Sequence, residues 1–131
     1  MTTELIALGE YVSNHNGRLT IVDTFDAIYA ERFPWRAYFG IAVIFVLTPE
    51  DSTKEMLYMR IASERDDSEI FNASTKLAPP PDNKGGKLVI ASNVKGLIFP
   101  APGLYHLIIS ADADQVADFK FEVKGNEEKG K

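Results

Sequence analysis

The chain has 131 residues, which fits one domain and leaves little room for a second. With 45% hydrophobic and 25% charged residues it has the balance of a folded globular protein, which excludes intrinsic disorder for its body. A net charge of −5 disfavours phosphate backbones and anionic membrane surfaces as partners, and the lack of cysteine excludes a disulfide scaffold, thiolate-held zinc and a cysteine nucleophile.

Along the chain, short apolar segments with a period near two are broken by turn signals roughly every 8–14 residues, the signature of a sandwich or barrel. Leu5 to Val12 and Arg18 to Val22 flank Ser13-Asn14-His15-Asn16-Gly17, and Asn16-Gly17 is the strongest hairpin signal present. Thr24 to Trp35 has room for one helical turn before Pro34 stops it. Arg36 to Thr48 is apolar on both faces and rich in β-branched and aromatic residues, which predicts a central strand. Lys54 to Ser63 places Leu57, Met59 and Ile61 inward and Tyr58 and Arg60 outward. Glu69 to Ala73 reads as a short strand.

Ser74 to Gly86 contains Pro79-Pro80-Pro81 and Gly85-Gly86, and it is expected to be an extended, then flexible, loop. Lys87 to Phe99 forms one or two strands with a bulge at Gly96. The last hairpin is the clearest. Tyr105, Leu107, Ile109 and Ala111 share a face, Asp112 to Gln115 is a polar turn, and Ala117, Phe119, Phe121 and Val123 share the returning face. A single domain over 1–124 with a frayed polar tail over 125–131 follows.

The segments GRLTIVDTFDAIYAERFP, GLIFPAPGLYHLIIS and FKFEV carry a resemblance. The positions concerned are Gly17, Phe25-Asp26, Phe33-Pro34, Ala37 to Leu47 and Pro102-Gly103-Leu104-Tyr105. Through these the chain, up to about Lys124, resembles an uncharacterised bacterial family of small β-sandwich proteins, a domain of unknown function. The resemblance implies an immunoglobulin-like or jelly-roll sandwich and an intracellular bacterial origin. It implies no activity and transfers no catalytic residue.

Chemistry-bearing residues are sparse. His15 lies in the expected hairpin turn and His106 on a strand face with Leu104 and Ile108; neither has the His-x-His or His-Glu-x-x-His spacing of a metal or catalytic helix. Both therefore read as ordinary turn and strand residues. Acidic groups recur at Asp23/Asp26, Glu50/Asp51, Glu64/Asp66/Asp67 and Asp112/Asp114. Alternating strand direction puts Asp23/Asp26 with Asp66/Asp67 at one end and Glu50/Asp51 with Asp112/Asp114 at the other. That gives two half-sites where calcium wants one full set of oxygens. There is no Gly-x-Ser-x-Gly, and Gly85-Gly86-Lys87 lacks the upstream glycine of a phosphate loop. The aromatic run Phe33-Pro34-Trp35-Arg36 leading to Tyr38 is the most distinctive surface feature. Such residues either close the end of a sandwich core or anchor a partner or sugar. Charges beside the strands at Lys54, Arg60, Glu64 and Arg65 guard sheet edges as much as edges invite pairing.

The sequence thus predicts an all-β, mostly antiparallel sandwich of seven to nine strands, immunoglobulin-like or jelly-roll. The expected role is a non-enzymatic binding or accessory module in the cytoplasm, with no cofactor and no metal. It would act on an unidentified protein partner or on itself through Phe33, Trp35 and Tyr38, with the Pro79–Gly86 loop beside them. Carbohydrate or calcium binding is the first alternative, and a small hydrolase the second.

Overall fold

The computed structural model describes residues 1–77 and 86–125. Among the described residues there are nine strands: β1 (Thr2–His15), β2 (Arg18–Phe25), β3 (Ala27–Ala30), β4 (Trp35–Leu47), β5 (Met56–Ser63), β6 (Glu69–Lys76), β7 (Gly86–Phe99), β8 (Gly103–Ala111) and β9 (Asp114–Gly125). A short 3₁₀ turn, Pro49–Thr53, links β4 to β5. One sheet has the order β2-β1-β4-β7 and the other β3-β9-β8-β5-β6. All neighbours are antiparallel except β3 and β9, which run parallel.

The two sheets share one core. From β4 it takes Phe39, Ile41, Val43 and Phe45, and from the other sheet Leu57, Ile61, Leu107, Ile109, Phe121 and Val123. At one end Phe99 meets Tyr105 edge-on, with ring centroids 5.0 Å apart, and Tyr105 stacks on Phe121. The Tyr105 hydroxyl donates to the Ala101 carbonyl at 2.7 Å, so this buried phenol keeps a partner.

Most expected strands are present with their faces as read. Leu57, Met59 and Ile61 are buried while Tyr58 is exposed, and Tyr105, Leu107, Ile109 and Ala111 are all buried. Gly96 is the bulge. The β4–β7 register skips it between Ala37↔Leu97 and Tyr38↔Lys95, and its φ is +80°.

Three expectations change. Thr24 to Trp35 holds no helical turn; Ala27–Ala30 is a strand instead, because it finds the free edge of β9, pairing Ile28 with Val123 and burying it. The first hairpin needs no five-residue loop. His15 pairs with Arg18, and Asn16 and Gly17 turn the chain with φ of 54° and 82°, as a tight two-residue turn requires. The loop placed at Ser74 to Gly86 is shorter at both ends, since Ser74 to Lys76 belong to β6 and Gly86 opens β7. Its residues 78–85, with the three prolines, lie outside the described residues, as does the tail beyond Gly125.

β1 works in two halves. Its first half pairs with β4 as far as Gly9↔Gly40, and its second half pairs with β2 from Leu8↔Phe25 to His15↔Arg18. The second half crosses the outer face of the sheet. Val12 donates its amide to Asn93 Oδ1 at 3.0 Å and accepts from Asn93 Nδ2 at 2.8 Å. Val12 is 1% exposed yet stands outside the main core. Gly40 makes the crossing possible, because a Cβ there would lie 2.8 Å from Val12 Cγ1 and 2.9 Å from Asn93 Oδ1. Gly40→Ala is therefore expected to cost about 1–3 kcal/mol by overpacking. A chemical melt checks this, and a change below about 0.5 kcal/mol would show that the hairpin is not tightly seated.

Candidate functional site

The chain passes from one sheet to the other between Phe25 and Trp35. β2 ends in the first sheet, β3 joins the second beside β9, and β4 starts again in the first. This crossing leaves a cleft of about 450 Å³, a volume typical of ligand pockets, between β3 and the start of β4. Half of its lining is aromatic: Phe25, Tyr29, Trp35, Tyr38 and Phe39. Its charged side chains are Glu10 and Arg36.

Each group is placed by local rules. Trp35 is half-buried and packs against the core. Tyr38 is 66% exposed, the most exposed large hydrophobic side chain among the described residues. Arg36 lies over the bulge. Its Nη1 is 3.1 Å from where a Cβ on Gly96 would stand, so Gly96 gives the guanidinium its room as well as the backbone its positive φ. Trp35 and Tyr38 thus come together in one cleft. Phe33 does not line it; its ring is half-buried against the core, closing the sandwich end.

A second polar constellation lies on the outer face of the five-stranded sheet. His106 on β8 bridges two carboxylates, with Nδ1 2.6 Å from Asp118 Oδ1 on β9 and Nε2 3.1 Å from Glu64 Oε1. Lys120 Nζ reaches the same Glu64 oxygen at 2.9 Å. The hydrogen bond to Asp118, aided by Glu64, raises the His106 pKa above its ordinary 6.5 against a smaller opposing effect of burial. Lys120, then His106, hold the Glu64 carboxyl below its ordinary 4.5. Reading by motif spacing missed this cluster. The signal available was the hairpin register, which sets Lys120 opposite His106 and Asp118 opposite Ile108 on the same face.

The remaining carboxylates serve the backbone and nearby cations. Asp112 Oδ1 accepts from the Met56 amide at 3.0 Å, Asp114 pairs with Lys54, and Asp51 Oδ2 accepts from the Thr48 amide at 2.8 Å. Asp51 also lies 3.1 Å from the Met1 amino group. Glu50/Asp51 and Asp112/Asp114 do approach one end through the Lys54–Met56 segment. Among the described residues, however, no three His, Asp or Glu side chains gather as ligands for one ion. His15 is the last residue of β1, exposed and paired with Arg18.

Two packed sheets, one of four strands and one of five, define this chain as a β-sandwich protein. It belongs to DUF6941, a family of unknown function whose model matches residues 4–124. Comparison with curated proteins gives no match.

The His106 bridge has a pH signature. A histidine whose pKa is raised on folding stabilises the fold fully below its unfolded pKa, and that stability fades as pH rises through the folded value. Glu64 has the opposite sign, its contribution fading on acidification. The cluster should therefore stabilise most between about pH 5 and 6.5, where the Glu64 carboxylate and the imidazolium are both charged. His106→Gln is expected to lower the melting temperature more at pH 6 than at pH 8.5. NMR titration of the ring should give a pKa above 6.5 that falls in Asp118→Asn. A ring that titrates at or below 6.5 in the wild type would contradict the bridge.

Proposed function

We propose that this chain is a non-enzymatic, immunoglobulin-like binding module of the bacterial cytoplasm that holds a protein partner in the cleft between β3 and β4. The observation that carries this reading is the exposure of Tyr38 beside Trp35 and Arg36 on one rim. Trp, Tyr and Arg are the side chains that most often dominate binding energy at protein interfaces. Tyr and Trp side chains have only two rotatable side-chain bonds, so they bury large areas on binding at a low cost in conformational entropy.

Strand order supports the immunoglobulin-like assignment over the jelly roll. β1-β4-β7 follows the order A-B-E, and β9-β8-β5-β6 follows G-F-C-C′. Tyr105, near the start of β8, bonds back to the carbonyl four residues upstream, as the tyrosine of that fold does on strand F. An enzymatic role is disfavoured by the cleft's chemistry. Its lining offers one carboxylate and one guanidinium but no serine, threonine or histidine to pair as nucleophile and base. The calcium alternative is weakened because Asp51, Asp112 and Asp114 already serve backbone amides and cations.

The test is affinity purification of the tagged protein beside Trp35→Ala and Tyr38→Ala, with circular dichroism to show that both variants fold. One partner should be held by the wild type and weakened in each variant by about 2 kcal/mol, roughly 30-fold. Retention of every partner by both folded variants would refute the cleft as the binding site. A thermal shift with a sugar panel that vanishes in Trp35→Ala would give the cleft to carbohydrate instead.

A further inference from the structure

The flank opposite the aromatic cleft is built differently. There β6 ends one sheet and β7 ends the other. The sheets meet at the far side through β1 and β9, where Thr3 Oγ1 donates to the Val116 carbonyl at 3.3 Å. Counting inward from that contact sets β4 over β8, and at the other flank β6 and β7 approach each other across the sandwich.

Burial is incomplete there. The core-facing residues of β4 from Ala37 to Phe45 are 0–6% exposed, whereas Leu88, Ile90 and Ser92 on β7 are only half-buried, and on β6 Ala73 is half-buried and Thr75 exposed. Between them lies a groove of about 280 Å³, floored by Leu57 and Met59 and walled by Ala73, Thr75, Ile90 and Ser92.

β7 itself is a 14-residue edge strand without proline, and among the described residues β4 is its only neighbour in the sheet. A free edge of that length presents amides and carbonyls that another strand can satisfy, with the Val89 carbonyl also accepting from Asn14 Nδ2 at 3.4 Å. The other edges are less open. β3 has four residues, β2 is interrupted by the left-handed Asp23 (φ 50°), and β6 carries the Glu69–Arg60 ion pair.

We propose that this flank accepts one extended strand from a partner protein, added to the free edge of β7, with alternate side chains entering the groove between β6 and β7. The incoming strand lies beside β7 and adds a fifth strand to the four-stranded sheet. Its inward residues are small and apolar, as the modest groove and its Ala73 and Ser92 walls require. Its outward residues are acidic, because Lys87 and Lys95 flank the groove on the outer face of β7, with Lys87 already sharing its charge with Glu4 at 2.9 Å.

A second copy of this chain fits worse. Antiparallel β7–β7 pairing centred on the groove, at Ala91, sets Lys87 of each copy opposite Lys95 of the other, and like charges in that position destabilise a sheet.

The absence of cysteine allows a direct test. Ile98, 44% exposed on β7, is replaced in the full chain as Ile98→Cys. The probe is a peptide of about nine residues, roughly 30 Å when extended, alternating valine with glutamate or serine and carrying one cysteine at either end. A control peptide has proline at its centre. At a fixed thiol–disulfide ratio the alternating peptide should be captured about tenfold more than the control, because tethering supplies a high local concentration. Amide exchange over Leu88–Val94 should slow by about tenfold or more in the captured form. Ala73→Phe, which fills the groove, should abolish the preference, and Thr75→Lys on the exposed wall should do so if the first variant fails to fold. Equal capture of both peptides, unchanged exchange over Leu88–Val94, or a preference that survives the folded variant would each overturn the proposal. So would a wild-type dimer in sedimentation that either folded variant disperses, since that result assigns the flank to a second copy.

Discussion

The middle of β4, Phe39 to Val43, is buried on both faces, and the rest of the fold depends on that. Phe39, Ile41, Val43 and Phe45 point into the core, while Ala42, and Gly40 in the same row, are shut away on the other side. A strand with no polar face cannot end a sheet or stand against water, so it needs neighbours along both edges and a cover over both surfaces. β1 and β7 supply the edges and the five-stranded sheet one cover. Part of the second cover comes from the chain's own first hairpin, which crosses at Gly40 and is pinned by the paired Val12–Asn93 hydrogen bonds. The cover does not extend to the start of the strand. Tyr38 lies on the same face as Gly40 and Ala42 but is largely exposed, and the bulge at Gly96 shifts the register just there. The aromatic cleft is thus a consequence of where the cover stops.

The β periodicity carried most of this fold in the sequence. Arg36 to Thr48 read as a central strand because its apolar residues fall on both faces. Asn16-Gly17 and Gly96 read as a turn and a bulge because few other residues tolerate the backbone they need. What could not be read depended on distant partners. Ala27–Ala30 is too short for a period, and its strand identity comes from β9, nearly a hundred residues away. The bend of β1 across its own sheet is recorded only in Gly40 and Asn93, neither of which signals a crossing by itself. The site was legible in part. Trp35 and Tyr38 stood out as aromatics, but their union with Tyr29 and Phe25 required the crossing between sheets. Phe33 looked equivalent and faces the core instead.

The His106 bridge shows why proximity of catalytic residue types is a weak guide to function. An imidazole between two carboxylates invites an acid–base reading. Yet both ring nitrogens are occupied, one by Asp118 and one by Glu64, and Lys120 takes the same Glu64 oxygen. The two carboxylates engage different nitrogens of the ring, so each is already committed to the imidazole. On the solvated face of a sheet such networks contribute modestly to stability. They also keep that face charged, which discourages a third layer from packing on it. The outer surface of β8 and β9 therefore reads as a finished surface.

The two flanks of the sandwich are finished to different degrees. On the β1 side the chain invests β2, β3 and the aromatic crossing to close the space between sheets, and Ile28 and Ala30 are buried as a result. On the β7 side no described strand performs that service, and core-facing Ile90 and Ser92 stay half-wet beside fully buried Ile41 and Val43. Leaving apolar groups partly hydrated costs about 25 cal/mol for each Å² of apolar surface that could have been buried. An edge of this length also exposes the molecule to unwanted strand pairing. Lys87 and Lys95 limit the most direct form of that pairing, two copies of β7 set antiparallel, while remaining compatible with an acidic strand. Under the proposed strand addition this charge pattern would select among partners, disfavouring a second copy and favouring an acidic strand.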